Sequence, residues 1–197
     1  MTGPSQTYDP GTALLVVDVQ NDFADPSGGL YVRDGEQVVE PVNAEVRAAV
    51  DAGATVAYTQ DWHPEQTPHF QKDGGIWPVH CVHDSWGAAL HPGLEVHGPV
   101  VRKGVDGEDG YSGFSVRDPV SGAAAATRLQ SLLPPGVERL VVVGLAGDYC
   151  VKETALDGRR LGYDVVVPLA LTRFVNLSAG DDERSVAEIR GAGVEVR

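Results

Sequence analysis

The sequence predicts an α/β protein, a three-layer α/β/α arrangement around a doubly wound, mainly parallel sheet of six strands. Three observations carry this. Short β-branched apolar runs alternate with segments of helical periodicity. The runs are apolar without interruption, as strands covered on both faces are. The stretches that close them are polar or contain glycine, as the turns of alternating β and α units do. All of 1–197 reads as a single domain, a length ample for one large core.

The first strand is ALLVVD at 13–18. Residues 38–52 then place Val38, Val42, Val46 and Ala49 at helical spacing, with Gly53 as the stop. The second strand is ATVAYT at 54–59, and 99–102 (PVVR) is a weaker third. Between them lies 60–98, rich in His, Pro, Gly and Trp and nearly aperiodic. A loop that long in a compact domain is uncommon and usually functional. A second, glycine-rich loop covers 104–113, and 121–133 reads as an alanine-rich helix ended by Pro134-Pro135. RLVVVG at 139–144 is a strong fourth strand. The helix 148–161 opens on Asp148 as N-cap and closes at Gly162. YDVVVP at 163–168, a charged helix at 181–191 and a weak strand at 193–196 complete the pattern.

Composition narrows the function. With 42% apolar and 22% charged residues the chain is ordinary for a globular protein. No apolar run approaches the ~20 residues of a membrane span, and no signal-peptide pattern opens the chain, so a cytoplasmic location is expected. A net charge of −13 disfavours nucleic acid and anionic membrane as partners. Cys81 and Cys150 form no CxxC pair and should be free thiols in a reducing compartment. All six histidines fall in the 35-residue window from His63 to His97, too tight a cluster for scattered structural residues.

In open α/β sheets, ligands bind beyond the carboxyl ends of the strands, where strand order reverses. Asp18 ends the first strand, Asp61 follows the second, Lys103 follows the third, and Cys150 opens the helix after the fourth. Taken singly, these are a turn-capping carboxylate, a solvated lysine and a packed thiol. Brought to one edge, they make a nucleophile set. A thiol in a first helical turn near Lys⁺ favours thiolate. A neighbouring carboxylate can take the thiol proton and return it to a leaving amine. The turn Gly144-Leu145-Ala146-Gly147 offers N–H groups for an oxyanion.

The histidine window points to a divalent metal. Asp61 and His63, two apart in an extended segment, face one side. His80 would complete a carboxylate-plus-two-imidazole set suited to Zn²⁺, Fe²⁺ or Mn²⁺. His69 reads as a fourth ligand or a supporting group. His83, His91 and His97 read as surface or structural residues, and Cys81 as packing.

At these residues the sequence resembles the nicotinamidases, including the pyrazinamide-hydrolysing ones, within the isochorismatase-like cysteine hydrolases. The matching pieces run in order: DVQNDF at 18–23, DWH at 61–63, WPVHC at 77–81, KG at 103–104, YSGF at 111–114 and VGLAGDYCVKETALDGRRLGYDV at 143–165. The resemblance implies an Asp18–Lys103–Cys150 triad and metal ligands Asp61, His63 and His80, with His69 where some relatives also bind. It implies a cis peptide between Leu145 and Ala146, shaping an oxyanion hole from the N–H groups of Ala146 and Cys150. Phe23 and Trp77 would stack on a pyridine ring, with Tyr111 nearby. The implied activity is hydrolysis of nicotinamide, and of pyrazinamide, through a thioester, in NAD salvage. EQTPHF carries His where many relatives have Ser, and the loop 104–110 is unusually acidic. Tyr149 reads equally as pocket wall or helix packing. The rival readings are another small-amide or carbamoyl hydrolase, such as an N-carbamoylsarcosine-type amidase, and a non-catalytic metabolite-binding or redox-sensing thiol protein. A small molecule is the expected partner, and the pattern is compatible with a homo-oligomer.

Overall fold

Residues 6–197 are described by a computed structural model. Strand β1 (Thr12–Val17) leads into a one-turn helix α1 (Asn21–Ala24), then α2 (Val39–Asp51) and β2 (Thr55–Asp61). A long, mostly irregular segment follows before β3 (Val100–Lys103), β4 (Ser115–Arg117), β5 (Ala124–Ala126) and α3 (Leu129–Leu132). Next come β6 (Arg139–Leu145), α4 (Cys150–Arg160), β7 (Asp164–Val167) and β8 (Thr172–Arg173). Helix α5 (Asp181–Gly191) and β9 (Glu195–Val196) end the fold.

The main sheet runs β3-β2-β1-β6-β7-β9, every pair parallel, with β8 added alongside the end of β6. The six expected strands are present, and β8 is a seventh. Strand order reverses between β1 and β6. Because strand side chains alternate faces, β1 supplies two cores. Leu14 and Val16 pack with Val42 and Val46 of α2 on one face, while Ala13, Leu15 and Val17 join Ala155 of α4 and Ile189 of α5 on the other. At the reversal the strands need a glycine. Gly144 has φ +111°, and a Cβ there would sit 2.1 Å from the Val17 carbonyl oxygen. Gly53 and Gly162, both at positive φ, follow α2 and α4 as expected.

Three expectations need correction. The alanine-rich helix over 121–133 is a β4–β5 hairpin followed by the single turn α3. The Asp118 carboxylate accepts the N–H groups of Val120 and Ser121, and Gly122 at φ +71° reverses the chain. Ala124–Ala126 stay exposed, so alanine's helix propensity has no tertiary face to reinforce it. Asp148 does not cap α4. Tyr149 holds the N-cap position, and the Asp148 carboxylate accepts the N–H groups of Val175 and Asn176 instead. Asp61 and Lys103 are the last residues of β2 and β3 rather than followers of them.

Candidate active site

Asp18 sits one residue past β1 at φ +48°, a left-handed conformation that Asp tolerates better than most residues. It is fully buried. Its Oδ1 accepts the Thr59 hydroxyl at 2.6 Å, and its Oδ2 pairs with Lys103 Nζ at 2.7 Å. Lys103, equally buried, also reaches the Asp61 carboxylate, the Gly110 carbonyl and, at 3.6 Å, Cys150 Sγ. Four elements of the sheet edge thus meet on one ammonium. Asp61 is held from below by Gln20 of DVQNDF, whose side-chain amide accepts the Asp61 N–H and donates to its carbonyl, each at 2.8 Å.

Burial sets the protonation states. It pushes Asp18 up to about 6 against the pull of Lys103, with the Asp61 charge adding to the rise. Burial likewise opposes charge on Lys103, but Asp18 and Asp61 overcome it and hold the ammonium firmly protonated. The Cys150 thiol is driven well up by burial, only partly countered by Lys103 and further raised by Asp18. The expected resting thiolate is therefore replaced by a thiol beside an ionised carboxylate near neutrality. Helix position and one cation do not outweigh desolvation at this depth.

His63, His69 and His80 converge so that one nitrogen from each lies within 4.8 Å of the others. His63 stacks on His69 with centroids 4.7 Å apart and meets His80 edge-on at 5.2 Å. Neither nitrogen of the buried His63 ring has a hydrogen-bond partner among the described residues. His80 Nδ1 lies 2.8 Å from the Pro78 carbonyl and His69 Nδ1 lies 2.9 Å from Asp109 Oδ1, which leaves Nε2 of each as a lone pair. Burial lowers His69 and brings His80 to about 4, so both rings are neutral at pH 7, the form a metal requires. Burial would raise Asp61, but Lys103 and His63 keep it ionised. Its Oδ2 stands 3.8 Å from His63 Nε2. Orphaned buried nitrogens, neutral imidazoles and a carboxylate fit a divalent metal of the N/O-preferring kind.

The sequence expected Asp61, His63 and His80 as the ligand set. The structure gathers the three histidines, His69 fully among them, with Asp61 between this cluster and Lys103. Gly104 makes room for it: φ is +75°, and a Cβ would lie 2.7 Å from the His63 ring. Cys81 is buried in the apolar core, and its N–H donates to Asp22, as a packing residue would. His83 and His97 are exposed and His91 is half-buried, and none of their rings joins the converging group, although the His83 N–H donates to the His63 carbonyl at 2.8 Å.

A narrow cleft joins the two groups. Phe23, Trp77, Tyr111, Ala146, Tyr149 and Val175 wall it, with Cys150, His69 and His80 opening into it. Trp77 Nε1 donates to the Tyr111 hydroxyl at 2.8 Å, and Tyr149 meets Trp77 edge-on at 4.7 Å. Tyr149 is therefore a wall residue. The Leu145–Ala146 peptide is cis, and the Ala146 carbonyl accepts the N–H groups of Tyr149 and Val151. Thr59, Asp109 and Val175 were not singled out from the sequence. Asp109 lies in the acidic loop, its one available signal, and Thr59 and Val175 carry none.

The sequence profile of the isochorismatase domain matches residues 12–196. The nicotinamidase of Escherichia coli K12 is 36% identical over 203 residues, covering 93% of each chain. PnC1 from L. infantum, solved in complex with nicotinate, superposes with a TM-score of 0.85 at 37% identity, covering 100% of this chain and 95% of that one. The pyrazinamidase of Pyrococcus horikoshii, solved in complex with zinc, gives 0.83 at 34% identity over 95% of this chain and 99% of its own. No helix among the described residues is long and apolar enough to cross a membrane. The parallel sheet, the matched motifs and these relatives along nearly its whole length agree: the chain belongs to the isochorismatase family.

Proposed function

We propose that this chain hydrolyses nicotinamide to nicotinate and ammonia as a metal-assisted cysteine amidase, and that it also accepts pyrazinamide. The observation that carries this is the meeting of a buried Cys150–Lys103–Asp18 set and a three-histidine cluster across one aromatic cleft. The functions of the E. coli and P. horikoshii relatives, and the nicotinate held by the L. infantum protein, support the same substrate class.

In this reading the ring lies between Phe23 and Trp77, with Tyr111 and Tyr149 closing the walls. A divalent metal bound by His63, His80, His69 and Asp61 would supply an electropositive anchor for the ring nitrogen. Asp18 takes the thiol proton as Cys150 Sγ attacks the carboxamide carbon. The Ala146 and Cys150 N–H groups receive the developing oxyanion. Asp18 returns the proton to nitrogen, the C–N bond breaks, and ammonia leaves a thioester on Cys150. Water, deprotonated by Asp18, then attacks the thioester, releasing nicotinate and the thiol. Lys103 remains protonated throughout and offsets the charge that passes between Asp18 and sulfur.

The ends of one sheet and the segments that connect its strands carry every proposed group, which supports a single domain. The two free, buried thiols accord with a reducing cytoplasmic setting and a place in NAD salvage. A carbamoyl amidase has less use for three converging imidazoles, and a binding or redox module has less use for a carboxylate near pKa 6 beside a protonated thiol.

Ammonia release from nicotinamide, pyrazinamide and N-carbamoylsarcosine tests the proposal. Wild type should act on the first two, while Cys150→Ala should be inactive and metal-stripped protein strongly impaired. Full activity in Cys150→Ala, or turnover of the carbamoyl compound alone, would overturn it.

A further inference from the structure

We propose that Asp109 is a positioning residue that couples metal capture by the histidine cluster to the seating of the glycine-rich strap 104–111. The proposal rests on the metal reading above and goes beyond it by assigning a residue outside the ligand set.

Three consecutive strap residues each hold a different part of the site. The Asp109 carboxylate bonds His69 Nδ1 at 2.9 Å, the Gly110 carbonyl accepts from Lys103 Nζ, and the Tyr111 hydroxyl accepts from Trp77 Nε1 at 2.8 Å. One residue set thereby spans the ligand cluster, the catalytic cation and the ring wall. The strap is anchored at two further points. Asp109 exchanges both backbone hydrogen bonds with Arg117 of β4 at 2.8 Å, and the Gly107 carbonyl accepts the Thr67 hydroxyl at 3.1 Å.

His69 needs such a partner. It lies in the irregular part of 60–98, where no strand or helix fixes its ring, and Asp109 is its side-chain hydrogen-bond partner. By accepting the Nδ1 proton, the carboxylate selects the tautomer whose Nε2 is free for an ion and makes that nitrogen a better donor. The strap gains in return. Gly104 and Gly107 both sit at positive φ, and glycine-rich segments lose much conformational freedom on ordering. An ion that fixes His69 also fixes Asp109, and ordering of the strap favours the ion by the same factor, since coupling free energies are reciprocal.

Zinc titration of metal-stripped, full-length protein tests this without reference to turnover. Calorimetry or chelator competition would give the Zn²⁺ affinity of wild type, Asp109→Ala, Asp109→Asn and Glu108→Gln. Hydrogen exchange over 104–111 would be followed with and without zinc. Asp109→Ala should bind zinc roughly 10 to 100-fold more weakly. Asp109→Asn, which keeps an oxygen acceptor without the charge, should fall between it and wild type, and Glu108→Gln should match wild type. Zinc should slow exchange in the wild-type strap and leave it unchanged in Asp109→Ala. Equal zinc affinity in wild type and in folded Asp109→Ala or Asp109→Asn would overturn the proposal and leave the metal reading standing. An equal loss in Glu108→Gln would reduce the effect to general charge and also overturn it. Absence of tight zinc binding in wild type would defeat both.

Discussion

The Lys103 ammonium lies 3.6 Å from Cys150 Sγ, yet the thiol beside it is held protonated. Lys103 spends its charge on two carboxylates first, Asp18 and Asp61. Its part is to keep Asp18 usable as a base at all, in a place where burial alone would neutralise it.

Lys103→Met should therefore damage both stability and activity. It leaves Asp18 and Asp61 buried without their cation, and breaking such a pair typically costs about 3–5 kcal/mol. Denaturant unfolding should show a loss of that order. In protein that remains folded, ammonia release should fall by at least about 100-fold.

The pH profile follows from Asp18. Its buried carboxyl is raised to about 6, and the proposed base is the ionised form. Protonation as pH falls through that value removes the base, so kcat/KM should drop about tenfold per unit below it. The Thr59 hydroxyl favours the charged carboxylate. Thr59→Val should therefore move the acid limb to higher pH, and an unmoved limb would assign it to another group.

Gly104→Ala places a methyl against the His63 ring at a positive-φ position. A non-glycine residue held there costs on the order of 1–3 kcal/mol, before the clash is counted. Zinc affinity of the folded variant should fall, because the displaced ring is one of the three that must converge.

Trp77→Ala removes a ring wall and leaves the Tyr111 hydroxyl without its indole donor. Losing one large apolar contact is equivalent to roughly 1.5–3 kcal/mol. A KM for nicotinamide about tenfold higher or more is expected, with a smaller change in kcat, since the sulfur and its base are untouched.

Much of this was legible along the chain, for identifiable reasons. LLVV in β1 and VVV in β6 are apolar without a break and rich in β-branched residues, which suits strands covered on both sides. Parallel pairing then carried Asp18, Asp61 and Lys103 to one edge and set Cys150 at the neighbouring helix start. What escaped depends on depth or on distant partners. The resting thiol follows from how far Cys150 is removed from water. The Asp109–His69 bond spans forty residues. The 121–133 segment misled because local propensity favoured a helix, while Asp118 and Gly122 closed a hairpin one step earlier. Asp148 likewise found its donors at Val175 and Asn176 rather than in the helix it precedes.

Gln20 has a consequence of another kind. The Asp18 N–H still meets the Thr59 carbonyl of β2, and beyond it the Gln20 amide, in place of backbone, meets both the N–H and the carbonyl of Asp61. A side chain has become a surrogate rung of the ladder, extending the sheet one step beyond the strand that built it. Such a rung is polarised and cannot be reversed. Glutamate, nearly identical in shape and separated from glutamine by a single base change, would turn its donor into a second acceptor facing the Asp61 carbonyl and set a charge beside Asp61. The smallest inheritable change at this position is therefore among the most damaging, and the reach of the sheet toward its ligand depends on one amide nitrogen.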